Sequence, residues 1–275
     1  MTIDYDAEYN NTARVKDAPA ILARLGAEAV AYREQATSES RAELGCNYGS
    51  SPRQFVDILH AAQRDNAPLA MFIHGGYWRI LQPQAFSSLA RGLNAHGVTV
   101  ALAGYDLCPT VGIGDIVAQM QQACLFLWQR FRKRILVHGH SAGGHLTAAM
   151  LATDWQQYGA PQDLVRSAMA ISGLFDLAPM VATKMNADFR LDDAEARRQS
   201  PLFWRPPTGR TLDAVVGGDE SSEFLRQSRT IVEQWGKAGV AMRYEAVTGA
   251  NHFTVIEPLA DPDSALVKRL LTLVA

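Results

Sequence analysis

Cysteine is scarce in this chain: Cys46, Cys108 and Cys124 are odd in number and show none of the close spacing of zinc or redox thiol pairs, which fits a reducing compartment. Also missing is any apolar stretch of the ~18 residues that a membrane span requires. Met1 to Asn11 is acidic and polar instead of basic then apolar, so it does not read as a secretory signal. Neither sign of charge dominates. With 26 Lys and Arg against 28 Asp and Glu, and the basic residues scattered, nothing resembles an electrostatic footprint for nucleic acid. These absences predict a soluble cytoplasmic protein that binds neither nucleic acid nor membrane and works on a small molecule. They leave room for a homodimer.

What is present is enough apolar material for one large core. At 48% hydrophobic and 20% charged over 275 residues, the chain reads as a single α/β domain, 1–275. Short apolar runs bounded by Gly, Pro or Asp alternate with longer amphipathic stretches, the rhythm of a doubly wound, mostly parallel sheet with helices on both faces. Candidate strands are Gln54–Leu59, Leu69–His74, Val98–Ala103, Ile135–His138, Ser167–Ser172, Leu212–Val216 and Met242–Val247. Helical spacing marks Phe86–Ala95, Ile113–Arg132, His145–Thr153, Ser222–Lys237 and Pro262–Leu273. Two segments break the rhythm. Residues 1–42 carry an Ala-rich helix, Ala18–Thr37, and read as a flap, with Glu39–Gly49 as an antiparallel edge strand. Residues 175–207 hold four prolines and the charged patch RLDDAEARR without a strand signal, and read as a small lid or cap insertion.

One stretch carries chemistry. Gly139-His140-Ser141-Ala142-Gly143 matches G-x-S-x-G, with a predicted strand before it and a helix after it. A nucleophile on so sharp a turn sits in strained backbone, and the flanking glycines remove side chains that would strike the neighbouring strand and helix. Such a serine needs a base, and in sheet hydrolases with this turn the order is Ser, acid, His. Only His252 lies beyond the elbow helix, on a loop after the last predicted strand. For the acid, Asp219 follows Leu212–Val216 and two glycines, although it could instead begin the next helix. Asp213 falls inside the strand, Glu220 is a candidate to sit over the next helix N-terminus, and Asp176 is the fallback acid; full activity in Asp219→Asn would move the acid to Asp176 or Glu220.

A second loop, HGGYW at His74–Trp78, supplies paired glycines after an earlier strand. Its amides at Gly75, Gly76 and Tyr77, with that of Ala142, are the expected oxyanion donors. His74 reads as structural. His138, His140 and His145 lack the i, i+4 spacing of a metal pair, so no metal or other cofactor is expected; His140 is assigned to the lining beside the nucleophile. Tyr77, Trp78, Phe175, Trp204 and Phe253, with Phe203, fall in segments predicted to border the site, where flat rings suit an aryl group.

Taken together, HGGYW, GHSAGGHL at Gly139–Leu146, SGLFDLAP at Ser172–Pro179, NHF at Asn251–Phe253 and EYNNTARV near the start resemble the α/β-hydrolase fold. Within that fold the chain resembles the kynurenine formamidase (arylformamidase) and hormone-sensitive-lipase-like esterase group. The resemblance implies Ser141, Asp219 and His252 as a triad and the HGG loop with Ala142 as oxyanion hole. Tyr77 stands where the esterases usually have a third glycine, and His140 where they have an acid; both departures lean toward the formamidase side. The implied activity is cleavage of an N-formyl aryl amide or a short-acyl ester through an acyl-enzyme. A general short-chain carboxylesterase, or a hydrolase fold serving as a small-molecule binding protein, are the alternatives.

Overall fold

A computed structural model describes residues 3–274, so Met1, Thr2 and Ala275 of the predicted span lie outside the described residues. Eight strands form one sheet: β1 Ala42–Asn47, β2 Phe55–Leu59, β3 Leu69–Ile73, β4 Thr99–Ala103, β5 Ile135–His140, β6 Ser167–Ile171, β7 Thr211–Gly217 and β8 Ala241–Val247. Their order across the sheet is β1-β2-β4-β3-β5-β6-β7-β8. β2 runs antiparallel to both β1 and β4, and every other neighbouring pair is parallel.

The short apolar runs become central strands because both of their faces are covered. Alternation sends successive side chains into two cores. Met71 and Ile73 of β3, with Ile135 and Val137 of β5, enter the core shared with the helices Ile113–Phe131, Ala142–Ala152 and Ser222–Lys237. Ala70, Phe72 and Leu136 enter the opposite core, with the helices Ala18–Ser38 and Ala265–Val274. The predicted edge strand is present as β1. The predicted helix Phe86–Ala95 is a 3-10 segment, Pro83–Ala90, running into the α-helix Arg91–Ala95.

The order of the sheet places a site before any side chain is considered. From β3 the chain turns to one side to make β4 and to the other to make β5, so a crevice opens at the carboxyl ends of β3 and β5. Ile73 of β3 is in register with Gly139 of β5. The two glycine-bearing loops therefore leave the sheet side by side.

Candidate active site

β5 ends at His140, and Ser141 takes φ 57° and ψ −119°, a conformation that costs a non-glycine residue on the order of 1–3 kcal/mol. The turn is held from both sides. Ser141 N donates to Ile171 O at 2.8 Å, and Ser141 O accepts from Gly144 N at 2.8 Å, the start of the helix Ala142–Ala152. That helix begins three residues before the predicted His145, because the glycines let it start against the sheet. A Cβ on Gly143 would lie 2.0 Å from Ile73 O, and one on Gly139 would lie 2.5 Å from Gly143 O.

His252 is fixed by its own loop. Asn251 Oδ1 accepts from Phe253 N at 2.9 Å and Thr254 N at 3.1 Å, while Thr254 Oγ1 accepts from Asn251 N at 2.9 Å. The imidazole sits 4.5 Å from the Phe224 ring, centroid to centroid, and is buried. Its Nδ1 meets Glu220 Oε2 at 2.6 Å. Glu220 Oε1 accepts two further bonds, from Gly217 N at 2.7 Å and Ser172 Oγ at 2.5 Å. A carboxylate so held accepts the hydrogen bond of Nδ1–H, keeps the proton on that nitrogen and leaves Nε2 as the acceptor of the ring, the tautomer a general base requires.

Across from Ser141 the HGG loop bends sharply, with positive φ at Gly76 (104°), Tyr77 (49°) and Trp78 (55°). Gly76 O accepts from both Arg79 N and Ile80 N at 3.0 Å, which closes the bend. A Cβ on Gly76 would lie 2.3 Å from Ile80 O. The amides of Gly76, Tyr77 and Ala142 find no acceptor among the described residues. Gly75, Gly76 and Tyr77 line one cavity of about 480 Å³ with Ser141, His140 and His252. Its walls are mostly apolar. Leu22, Leu25, Phe86, Phe253 and Ile256 contribute to the lining, as do Tyr9, Asn11 and Met185.

Residues 70–256 match the alpha/beta hydrolase fold family. The chain belongs to that family. It is 30% identical to kynurenine formamidase of Danio rerio over 249 residues, 88% of this chain and 85% of the other. Kynurenine formamidase of Salmo salar is 31% identical over 252 residues, 86% and 84% of the two chains. A solved structure from Silicibacter sp., provisionally named a thioesterase, superposes with a TM-score of 0.87 at 34% identity, covering 98% of this chain and all of that one. Among the described residues no helix is long and apolar enough to cross a membrane.

Within this alpha/beta hydrolase several expected positions need correction. The carboxylate on His252 belongs to Glu220 and not to Asp219. Gly217 and Gly218 open a turn, closed by Glu220 N to Gly217 O at 3.2 Å, that puts Asp219 at an exposed tip and returns Glu220 to the interior. Nor does Glu220 cap the next helix: Ser221 is its N-cap, with Oγ accepting from Phe224 N. Asp176, the fallback acid, instead pairs with Arg226 at 3.4 Å. Ser141, His252, His140, Tyr77 and Phe253 all reach the cavity, whereas Trp78, Phe175 and Trp204 are not in its lining. Trp78 and Phe175 are wholly buried in the first core, and Trp204 packs on His145 with its Nε1 donating to Arg198 O at 2.7 Å.

The remaining histidines have structural roles. His74 stacks on Tyr105 with centroids 4.3 Å apart and bonds Gly75 O through Nδ1 at 2.7 Å, steadying the loop. His145 Nε2 donates to Gln199 O at 2.7 Å and ties the elbow helix to the predicted lid. Among the described residues no group of His, Cys, Asp and Glu could hold a metal ion. Sequence reasoning ranked Glu220 behind Asp219 and missed Ser172, Leu22 and Leu25. A signal for Glu220 was available: with Ser221 as N-cap, residue 220 ends the turn and points back toward the sheet.

Proposed function

We propose that this protein hydrolyses an N-formyl aryl amide by acyl transfer to Ser141, with His252 as base and Glu220 as the acid that orients it. The observation carrying this reading is that His252, bonded to Glu220 at 2.6 Å, lines one cavity with the strained Ser141. Ser141 Oγ attacks the formyl carbon while His252 Nε2 takes its proton, and the amides of Gly76, Tyr77 and Ala142 receive the oxyanion. Collapse breaks the C–N bond, His252 returns the proton to nitrogen, and the aryl amine leaves. Water then attacks the formyl ester, giving its proton to His252. Formate departs and the serine is restored. The choice of a formamide draws on the two kynurenine formamidases, and the rings of Tyr77, Phe86 and Phe253 in the cavity suit a flat aryl group.

A second reading, hydrolysis of a short-acyl ester or thioester, draws on the Silicibacter relative. Both use the same atoms. Turnover of N-formylkynurenine compared with that of p-nitrophenyl acetate and butyrate separates them, and we expect the formamide to be the better substrate. Fast ester cleavage with an inert formamide would leave the second reading standing. Failure of the folded protein to take a fluorophosphonate at Ser141 would remove both.

A further inference from the structure

One polar atom in the cavity has no task in that mechanism. His140, immediately before the nucleophile, places Nε2 2.8 Å from His252 O. A carbonyl oxygen can only accept, so Nε2 carries the proton and Nδ1 keeps a bare lone pair. Burial, reinforced by the neighbouring His252, holds the ring well below its ordinary pKa and therefore neutral. Nδ1 lies 3.3 Å from the point a Cβ on Gly75 would occupy, and Ser141 Cβ lies 2.9 Å from that same point. Acceptor and nucleophile thus flank one glycine of the oxyanion loop, and His140 lines the cavity with Ser141 and His252. His138 makes the contrast: both of its nitrogens are buried and, among the described residues, without a partner.

A neutral acceptor here has a use for one kind of substrate. An amide carries N–H on the atom that leaves, whereas an ester carries an oxygen with lone pairs only. We propose that His140 Nδ1 accepts a hydrogen bond from the N–H of the scissile formamide, so that His140 selects secondary amides over esters. This rests on the amide-cleaving reading of the same site. The bond turns the nitrogen so that its own lone pair is free for the proton His252 delivers as the C–N bond breaks. An ester oxygen would face the lone pair of Nδ1 and leave it unmatched, and sites built to bind a substrate N–H discriminate strongly against analogues that lack it.

The two nitrogens can be tested apart, because an Asn amide reaches the place of Nδ1 and a Gln amide the place of Nε2. His140→Gln keeps a donor for His252 O and loses the acceptor; His140→Asn does the reverse. The readout is the ratio of kcat/KM for formanilide to that for phenyl formate. We expect His140→Gln to lower this ratio roughly 10- to 100-fold and His140→Asn to hold it within about threefold, whatever happens to the separate rates. A ratio unmoved in His140→Gln, or moved equally in both variants, would overturn the proposal. Wild type offers a check that needs no variant: N-methylformanilide, which lacks the N–H, should be disfavoured against formanilide by a similar factor, and equal turnover of the two would also overturn it. Wild type that cleaves phenyl formate but not formanilide would overturn the formamide reading and this role together. Wild type that cleaves formanilide, with the ratio unmoved, would overturn only the role of His140.

Discussion

Glu220 is surrounded by donors: His252 Nδ1, Gly217 N and Ser172 Oγ all reach its carboxylate. Its neighbour Asp219 is exposed, and among the described residues its only hydrogen bond runs from its N to Ala250 O at 3.0 Å. The two carboxylates differ by one position in a turn and by everything in environment. Glu220→Gln keeps the shape but presents a donor or a neutral acceptor to Nδ1, undoing the tautomer preference, so kcat should fall by up to ~10⁴. Asp219→Asn should leave turnover of the best substrate within about twofold of wild type, as exposed changes away from a network usually do. Steady-state kinetics of the two variants side by side check both statements. A large loss in Asp219→Asn with Glu220→Gln unaffected would reverse the assignment. Single-residue chemistry was legible for Ser141 and His252, because each is the sole candidate in its place. It was not legible for the acid, where two carboxylates are adjacent and the fold of a four-residue turn decides between them.

At the scale of elements, the start of the chain matters more to the cavity than the insertion. Tyr9 is fully buried, with its hydroxyl donating to Glu223 Oε2 at 2.8 Å and accepting from Gln227 Nε2 at 3.0 Å. Tyr77 fastens the same segment to the oxyanion loop: its hydroxyl donates to Tyr9 O at 2.7 Å and accepts from Asn11 Nδ2 at 3.1 Å. Asp6, Tyr9, Asn10, Asn11 and Thr12 then form wall, and the helix Ala18–Ser38 adds Leu22 and Leu25. From 175–207, by contrast, only Lys184 and Met185 are in the lining. Tyr77→Phe removes the fastening and leaves every backbone donor in place. We expect KM for N-formylkynurenine to rise several-fold, with KM for the smaller p-nitrophenyl acetate nearly unchanged; equal effects on both would argue that the segment does not border the aryl side. Helical spacing made the Ala18–Thr37 helix readable and Pro-rich composition made 175–207 readable as strandless. Which of the two covers the site was unreadable, because periodicity reports that a helix has an apolar face and not what that face meets.

Across the whole molecule, burial of neutral imidazoles links stability to pH. Burial pulls His74 and His138 down to about 3 and His145 to about 4, from an ordinary value of 6.5. Between those values the unfolded chain binds protons that the folded chain refuses. Stability is therefore fully present above about pH 6.5 and is lost as pH falls toward 3 to 4, at a slope of about 1.4 kcal/mol per pH unit for each such group. His138 is the clearest probe, since among the described residues neither ring nitrogen has a partner and the ring packs on Phe72 at 5.2 Å. His138→Phe should flatten the acid limb by one proton, measured as urea unfolding free energy at pH 5 against pH 7.5. An unchanged slope would mean that His138 does not stay neutral in the fold.

Sequence by itself settled the class of fold and seven of the eight strands to within about two residues, with the eighth as an antiparallel edge, and it picked out Ser141 with its glycines and His252 as candidates that the fold brings to one cavity. Each of these follows from local sterics, from period-two and helical patterning, or from a residue that had no rival. Tertiary structure alone decided that Glu220 and not Asp219 holds His252, that Trp78, Phe175 and Trp204 fill core or packing positions outside the cavity, and that His140 lines the cavity with one nitrogen held by His252 O. These outcomes depend on which way a side chain leaves the backbone and what stands opposite it. Residues far apart in the chain determine both.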